Sequence, residues 1–307
     1  MGVAYLAVVN PAAGGGRCGQ RAPEAIRTLR ERGVAVDVVE TRAPGEATDL
    51  VRRAWADGRR RFISVGGDGT GYEIVNGIFT DPAGPIPGDG DDTERPRLGF
   101  LPLGTGNSFL RDFTTRGAAH SMEALVADRC RPCDVMRLDH ERGALHFINL
   151  LSLGFVARVN SARQQRFRRL GEAGYVAAVI SELAGLSPRA FPMRLDGGAL
   201  DEQPMVFCSF NNSKFTGGKM MMAPHAETGD GRIAVVRVGP LGRARLLAAF
   251  PRIFTGSHVA LRDVRTDQAE RVDFEIDAPL DMMVDGEALR HCPIRMTVLP
   301  AALDVCV

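Results

Sequence analysis

Two glycine-rich turns and two acidic turns carry most of the chemistry open to this sequence. Val65-Gly66-Gly67-Asp68-Gly69-Thr70 passes from an apolar strand pattern into a turn and then a helical pattern. Glycines let backbone N–H groups approach a phosphate closely, and the following helix offers its positive N-terminus. An ionised Asp68 cannot donate to phosphate, but it can hold a magnesium ion or a magnesium-bound water. The segment is not a P-loop, because no lysine follows the glycines in the required place, and it does not keep the dinucleotide fingerprint. A plain tight turn with Asp68 capping the helix is the alternative. Leu101-Pro102-Leu103-Gly104-Thr105-Gly106-Asn107-Ser108-Phe109 is a second glycine turn after a strand. Thr105 and Asn107 can donate hydrogen bonds to a nucleotide or orient the turn; Asn107 can equally cap a helix. Asn10-Pro11 to Gly16-Arg17 is a third polar turn in the same kind of position, so the three are expected to meet in one crevice.

The acidic turns lie late in the chain. Asp281-Met-Met-Val-Asp285-Gly286-Glu287 places two carboxylates two residues apart across a turn. A carboxylate there could take a proton from a weakly nucleophilic hydroxyl during phosphoryl transfer; on the residues alone, a hairpin with two solvated acids is the stronger reading. Glu227-Thr-Gly-Asp230-Gly231-Arg232 is likewise a hairpin by itself.

These turns need elements to position them. Residues 1–115 alternate strand and helix patterns: strands at Val3–Val9, Val34–Val39, Arg61–Val65 and Leu98–Leu101, and helices at about Pro23–Arg32, Glu46–Ala56 and around Ile74–Phe79. This is a parallel sheet covered on both faces, with ligands beyond the carboxyl ends of its strands. Residues 81–97, rich in Pro, Gly and Asp, read as a surface loop. Beyond about residue 130 short strand-like runs dominate, at Val135–Leu138, His146–Leu151, Ala190–Leu195, Val206–Phe210, Ile233–Val238, Val259–Val264 and Val272–Ile276. Helical patterning is limited to about 170–186 and 240–250. A mostly antiparallel sandwich of two sheets follows. A length of 307 residues suits two domains.

Composition narrows the function. Lys plus Arg number 38 and Asp plus Glu 37, so no general positive field exists to grip nucleic acid. The 35 glycines cluster in short signatures with no three-residue period, which excludes collagen. The six cysteines are sparse, with one close pair at Cys130 and Cys133, and read as ordinary reduced thiols. The opening MGVAYLAVVN reads as a first strand rather than a signal peptide, and no apolar stretch is long enough to span a membrane.

GGDGT followed by Glu73 and Asn76-Gly77, with PLGTGNSF, Asn10-Pro11 and its glycines, Thr41 after the second strand and the late Asp285-Gly286-Glu287, resembles the diacylglycerol kinase catalytic-domain family. Its bacterial lipid kinases and the sphingoid-base kinases share this arrangement over nearly the whole chain. NAD kinases also carry GGDGT; PLGTGN with the late DGE sharpens the likeness. The resemblance implies a phosphofructokinase/NAD kinase-like α/β parallel-sheet nucleotide domain over residues 1–130, joined by the final segment 293–307. It also implies an antiparallel β-sandwich lipid-substrate domain over 131–292, with ATP bound between the two. By motif match, Asn10, Thr41, Gly67, Asp68, Gly69, Thr70, Gly71, Tyr72, Glu73 and Thr105 contact or shape the nucleotide site. Asp285 becomes the proton acceptor, with Glu287 orienting it or sharing the role. Asp230 becomes the carboxylate ligand of a structural Mg2+, with Glu227 and Arg232 contributing carbonyl oxygens. Two departures stand out. The first loop, PAAGGGR, lacks the lysine sometimes present there, leaving Arg17 to supply the charge, and Ser108 stands where many bacterial members have Asp.

The expected function is an ATP- and Mg2+-dependent lipid kinase that phosphorylates a hydroxyl of diacylglycerol or a related lipid. The alternatives are a sphingoid-base or ceramide-type kinase, an NAD kinase, or a non-catalytic nucleotide- or lipid-sensing protein. Such an enzyme is expected to be cytoplasmic, to reach its lipid from the inner membrane surface without a transmembrane segment, and to bind no nucleic acid; a homo-oligomer is left open. Phe207–Phe215 and Gly217-Gly218-Lys219-Met220-Met221-Met222-Ala223-Pro224 could line an acyl-chain slot, although core packing explains them equally well. Arg158, Arg163, Arg166, Arg168 and Arg169, with Phe167 and Leu170, form either a membrane-facing patch or an ordinary solvated helix.

Overall fold

The computed structural model describes residues 4–79, 95–104, 106–155, 157–159, 162, 181–182 and 185–307. Residues 81–94 of the Pro/Gly/Asp-rich segment, most of the 170–186 helical pattern, and Arg163, Arg166, Phe167, Arg168, Arg169 and Leu170 lie outside these. Contacts divide the chain into one unit of Met1–Val135 with Leu299–Val307 and a second of Met136–Val298.

The first unit is α/β. Its elements are β1 (Tyr5–Val9), α1 (Arg17–Glu31), β2 (Val36–Glu40), α2 (Glu46–Ala56), β3 (Arg61–Val65), α3 (Asp68–Phe79), β4 (Arg97–Leu101) and α4 (Ala118–Val126). The strands lie parallel in the order β2-β1-β3-β4. Every residue of β1 is buried, as expected of a strand covered on both faces. The last residues of β17 (Pro293–Cys306) continue the parallel sheet beside β4, Asp304 opposite Arg97 and Cys306 opposite Gly99. α1 begins six residues before the expected Pro23, which sits inside it rather than starting it. Cys18, Ala22, Ile26 and Leu29 form its buried stripe, so core contact outweighs the single backbone bond that proline cannot make. α4, absent from the sequence reading, lies against β4, where Gly99 makes room: a Cβ there would meet Leu125 Cδ2 at 2.3 Å.

The second unit holds the antiparallel sandwich. β5 (Cys130–His140), β6 (Gly143–Phe147), β7 (Leu150–Gly154), β8 (Met193–Leu195), β9 (Phe207–Asn211), β10 (Phe215–Thr216), β11 (Met220–Met221), β12 (Ile233–Val238), α5 (Arg243–Ala249), β13 (Val264–Ala269), β14 (Arg271–Phe274), β15 (Leu280–Val284) and β16 (Glu287–His291) precede β17. One sheet runs β13-β12-β9-β7-β15-β16; in the other, β14 lies between β8 and β17, and β5 joins β17 to β6. Phe210 of β9 and Phe274 of β14 meet edge to face at 5.5 Å.

Three expectations need correction. The run His146–Leu151 is two strands, β6 and β7, because the backbone turns at Ile148–Asn149 around a buried carboxylate described below. The expected strand at Val259–Val264 is a 3-10 turn over Ser257–Ala260, with β13 starting only at Val264. There the His258 ring is buried against the Met222 carbonyl, 3.0 Å away, and this tertiary bond prevails over a short apolar run that fits either state. Finally, Cys130 and Cys306 are joined by a disulfide rather than being free thiols; β5 and β17 are neighbours, which sets the two residues side by side. No helix among the described residues is long and apolar enough to cross a membrane.

Candidate active site

The three polar turns of the first unit do meet at the carboxyl ends of β1, β3 and β4. The turns after β3 and β4 are stitched by their backbones: Gly104 N–H donates to Gly66 O at 2.8 Å, and Asp68 N–H to Gly106 O at 3.0 Å. Approach this close requires glycine. A Cβ on Gly104 would lie 2.7 Å from Gly67 N, and one on Gly67 would lie 2.9 Å from Gly106 O. The β1 turn joins them, since Asn10 N–H donates to Val65 O at 3.0 Å and a Cβ on Gly14 would lie 3.2 Å from Leu103 O. Thr41, after β2, is buried and donates its N–H to Val9 O at 2.9 Å. Gly104→Ala is therefore expected to force the turns apart. It should cost about 1–3 kcal/mol by overpacking, checked by denaturant unfolding.

Asp68 opens α3 with its carboxylate turned to the second glycine turn, where Oδ2 accepts the Ser108 N–H at 2.8 Å. Burial pushes its carboxyl up from the ordinary value, while the Ser108 N–H and hydroxyl and the Phe109 N–H pull the other way. Asn107 turns its side-chain amide back to Gly104 O at 3.4 Å. Thr105 lies outside the described residues. The Thr70 hydroxyl is buried against Gly66 and has no hydrogen-bond partner among the described residues. Gly71 is buried, and Gly69 and Tyr72 are half-buried in the first turns of α3. The Arg17 guanidinium bonds Gly14 O at 2.9 Å, within the first turn itself.

The structure assigns Glu73 a role that motif spacing did not reveal. Its carboxylate accepts the Gly45 and Ala47 N–H groups at 3.0 Å each and so caps the N-terminus of α2, where a negative charge is favoured. Gly77, one turn later, permits the helices to touch: a Cβ there would lie 2.6 Å from Val51 Cβ. Glu73 thereby anchors α3, and with it Asp68.

In the second unit, Asp285 and Gly286 form the two-residue turn between β15 and β16, with φ of 46° and 92°. Two positive φ values are the signature of a type I′ hairpin, for which Asp-Gly is a preferred pair. Asp285 is not solvated, being 3% exposed. Its Oδ2 accepts the Ile148 N–H at 3.1 Å, and its Oδ1 accepts the Asn149 and Leu150 N–H groups at 3.1 and 2.9 Å. The same corner is braced from β9's end, where Asn212 and Ser213 donate their N–H groups to Asn149 O and the Asn212 side chain donates to Ile148 O. Sequence reading missed this asparagine-serine cluster; its only trace is the polar run Asn211-Asn212-Ser213 directly after an apolar strand. Glu287 begins β16 and is half-buried.

Asp230 is exposed. Its Oδ1 accepts the Arg232 N–H at 2.9 Å and its Oδ2 faces the Gln268 amide at 3.5 Å. Glu227 and Arg232 are also exposed on this turn. Met220 and Met222 pack in a buried cluster with Phe155, Phe207 and Leu241. Arg158 is paired with Glu182 at 3.3 Å.

Residues 4–138 match the diacylglycerol kinase catalytic domain, and residues 149–307 match the YegS C-terminal NAD kinase beta sandwich-like domain. A "Diacylglycerol kinase" of Mycobacterium tuberculosis (strain ATCC 25618 / H37Rv) is 31% identical over 305 residues, covering 97% of this chain and 93% of the relative. The chain belongs to the diacylglycerol kinase catalytic-domain family. A "Probable lipid kinase YegS-like" of Xanthomonas axonopodis pv. citri (strain 306) is 30% identical over 286 residues, 91% of this chain and 89% of the relative. A crystal structure of a diacylglycerol kinase from Bacillus anthracis str. Sterne shares the fold at a TM-score of 0.70 and 19% identity, over 99% of this chain and 96% of that one. The residues of this diacylglycerol kinase family member fit a magnesium nucleotide. The orphaned Thr70 hydroxyl, the start of α3 and the glycine backbone suit phosphate, and the Asp68 carboxylate is the hard oxygen donor magnesium prefers.

Proposed function

We propose that this chain is an ATP-dependent lipid kinase that transfers the γ-phosphoryl group to a hydroxyl of diacylglycerol or a related lipid, with Asp285 as proton acceptor. The observation that carries the reading is the stitched pair of glycine turns around Asp68. Asn10, Thr41, the Gly67–Glu73 segment, Thr105 and Asn107 bind or shape the nucleotide site. Mg2+, held with the nucleotide near Asp68, would neutralise phosphate charge. Asp285 draws the proton from the acceptor hydroxyl, and Glu287 orients it or shares the task. Three backbone donors hold the Asp285 carboxylate in one place, fixing its position and keeping it ionised and ready to accept, at the cost of lower basicity. A second Mg2+ on Asp230 and the Glu227 and Arg232 carbonyls would brace the sandwich.

The lipid is met at a membrane surface, at the cytoplasmic face. Leu247 and Phe254 are openly displayed apolar side chains, at 51% and 49% exposure, with Arg243, Arg252 and the Asp263-paired Arg245 on the same segment. Apolar side chains among arginines suit an anionic bilayer. The double variant Leu247→Glu, Phe254→Glu is expected to lose activity on vesicle-borne lipid by about tenfold, since each arginine near such a surface is worth about 1 kcal/mol and the added glutamates oppose it. It should keep activity on a dispersed short-chain acceptor; an equal loss on both substrates removes this surface. The kinase reading is tested with labelled ATP against diacylglycerol, monoacylglycerol, sphingosine, ceramide and NAD. Transfer to a glycerolipid hydroxyl is expected, and transfer to NAD alone overturns it.

A further inference from the structure

We infer that His140, Glu141 and His291 form a binding site for a divalent transition-metal ion of the zinc class. His140 ends β5, Glu141 lies in the β5–β6 turn and His291 ends β16. β5 and β16 belong to different sheets of the sandwich, so the cluster sits where the chain leaves one sheet through Cys292 and enters the other in β17. The inference does not depend on the kinase reading, because none of these residues belongs to the turns described above.

Three potential ligand atoms are brought together here. One ligand atom from each residue lies within 4.8 Å of the other two, and among the described residues no other group of three His, Cys, Asp or Glu does this. Glu141 Oε1 is 3.4 Å from His291 Nδ1, and Glu141 Oε2 is 3.7 Å from His140 Nδ1. The first of these is a long hydrogen bond, beyond the preferred range of about 2.7–3.2 Å. Ligands about 2.0–2.1 Å from a tetrahedral zinc ion are instead about 3.3–3.4 Å apart. The two imidazole rings lie 4.0 Å apart and tilted by 36°.

The donor chemistry agrees. Two imidazole nitrogens and one carboxylate suit zinc, cobalt, nickel or copper and not magnesium. Glu141 Oε2 also accepts the Cys292 N–H at 2.7 Å, the kind of outer hydrogen bond that orients a ligating carboxylate. The Cys292 thiol is turned to Ile276 O at 2.8 Å and is left out of the donor set. Two groups oppose the ion. The Arg142 N–H reaches His140 Nδ1 at 3.2 Å, and the Arg142 guanidinium lies 3.7 Å from Glu141 Oε1. That guanidinium is 77% exposed, so it can swing away, and the backbone N–H must release Nδ1 if that nitrogen is to bind the ion. A bound ion would pin the β5–β6 turn to the far end of β16, the strand that begins directly after Asp285-Gly286.

The test uses full-length, tag-free protein stripped with a chelator. Zn2+ is titrated by calorimetry and Co2+ by its visible absorption, both in excess Mg2+. One equivalent is expected to bind, with a higher unfolding temperature. Glu141→Gln and His291→Gln should each weaken binding by at least the roughly 10–100-fold that losing an outer-sphere partner costs, whereas His120→Gln in the other unit should change nothing. Circular dichroism checks that the variants fold, and anomalous scattering at the zinc edge locates the ion in the unaltered protein. No stoichiometric Zn2+ binding, unaltered affinity in folded Glu141→Gln and His291→Gln, or an ion located elsewhere overturns the inference.

Discussion

Asp285→Asn should lower kcat by about 10²–10⁴-fold, the usual contribution of a positioned general base, with ATP affinity little changed. The amide keeps the size of the carboxylate but cannot take the acceptor's proton. The structure adds a second consequence. Asp285 accepts the Ile148, Asn149 and Leu150 N–H groups with both oxygens, whereas asparagine brings one acceptor oxygen and points an NH2 at donors. Leaving a buried donor unmatched costs about 1–3 kcal/mol, so the variant should also unfold at lower denaturant. The two effects separate when kcat is measured well below the unfolding transition and ATP binding is followed by calorimetry on the same protein. A folded variant with near-normal kcat eliminates Asp285 as the base. Glu287→Gln should cost less if Glu287 only orients Asp285, and as much if the two act together. A nearly inactive Glu287→Gln beside an active Asp285→Asn would pass the role to Glu287.

Asp68→Asn should reduce magnesium-dependent transfer by about 10²–10³-fold, the scale on which removing one preorganised electrostatic group slows catalysis. Under the proposed function, the substitution removes a charge where the metal nucleotide would be held. It should not unfold the turn, because the asparagine oxygen can still accept the Ser108 N–H that Oδ2 accepts at 2.8 Å. Measured kcat/KM with magnesium-ATP, set beside an unfolding curve, decides the matter, and unchanged kinetics remove Asp68 from the site. If the variant instead lost its fold, Asp68 would prove to be chiefly the clamp between the two glycine turns.

Part of this arrangement was legible because it is local. α2 spans Glu46–Ala56 and β12 Ile233–Val238, as their hydrophobic spacing predicts. The alternation of strand and helix over the first 115 residues is enough to require a parallel sheet with its glycine turns at one edge. Asp285-Gly286 is legible as a turn because few other pairs tolerate two positive φ values. Where two local rules competed, reading along the chain erred. Pro23 suggested a helix start, yet the stripe Cys18-Ala22-Ile26-Leu29 carries α1 back to Arg17. The run Val259–Val264 suggested a strand, yet His258 is held in a buried turn by the Met222 carbonyl, 36 residues away.

The sequence by itself determined the fold class, the family and which turns could do chemistry, because periodicity, turn residues and motif spacing act within a few residues of one another. Only the tertiary structure decided what each carboxylate touches. Glu73 bonds amides 26 and 28 residues away, Asp68 one 40 away, and Asp285 three that lie 135 to 137 away. It also decided that Cys130 meets Cys306 and that His140 and Glu141 meet His291. A buried charge must find its donors wherever the packed chain brings them, and that placement depends on strand order and register, which no local pattern encodes.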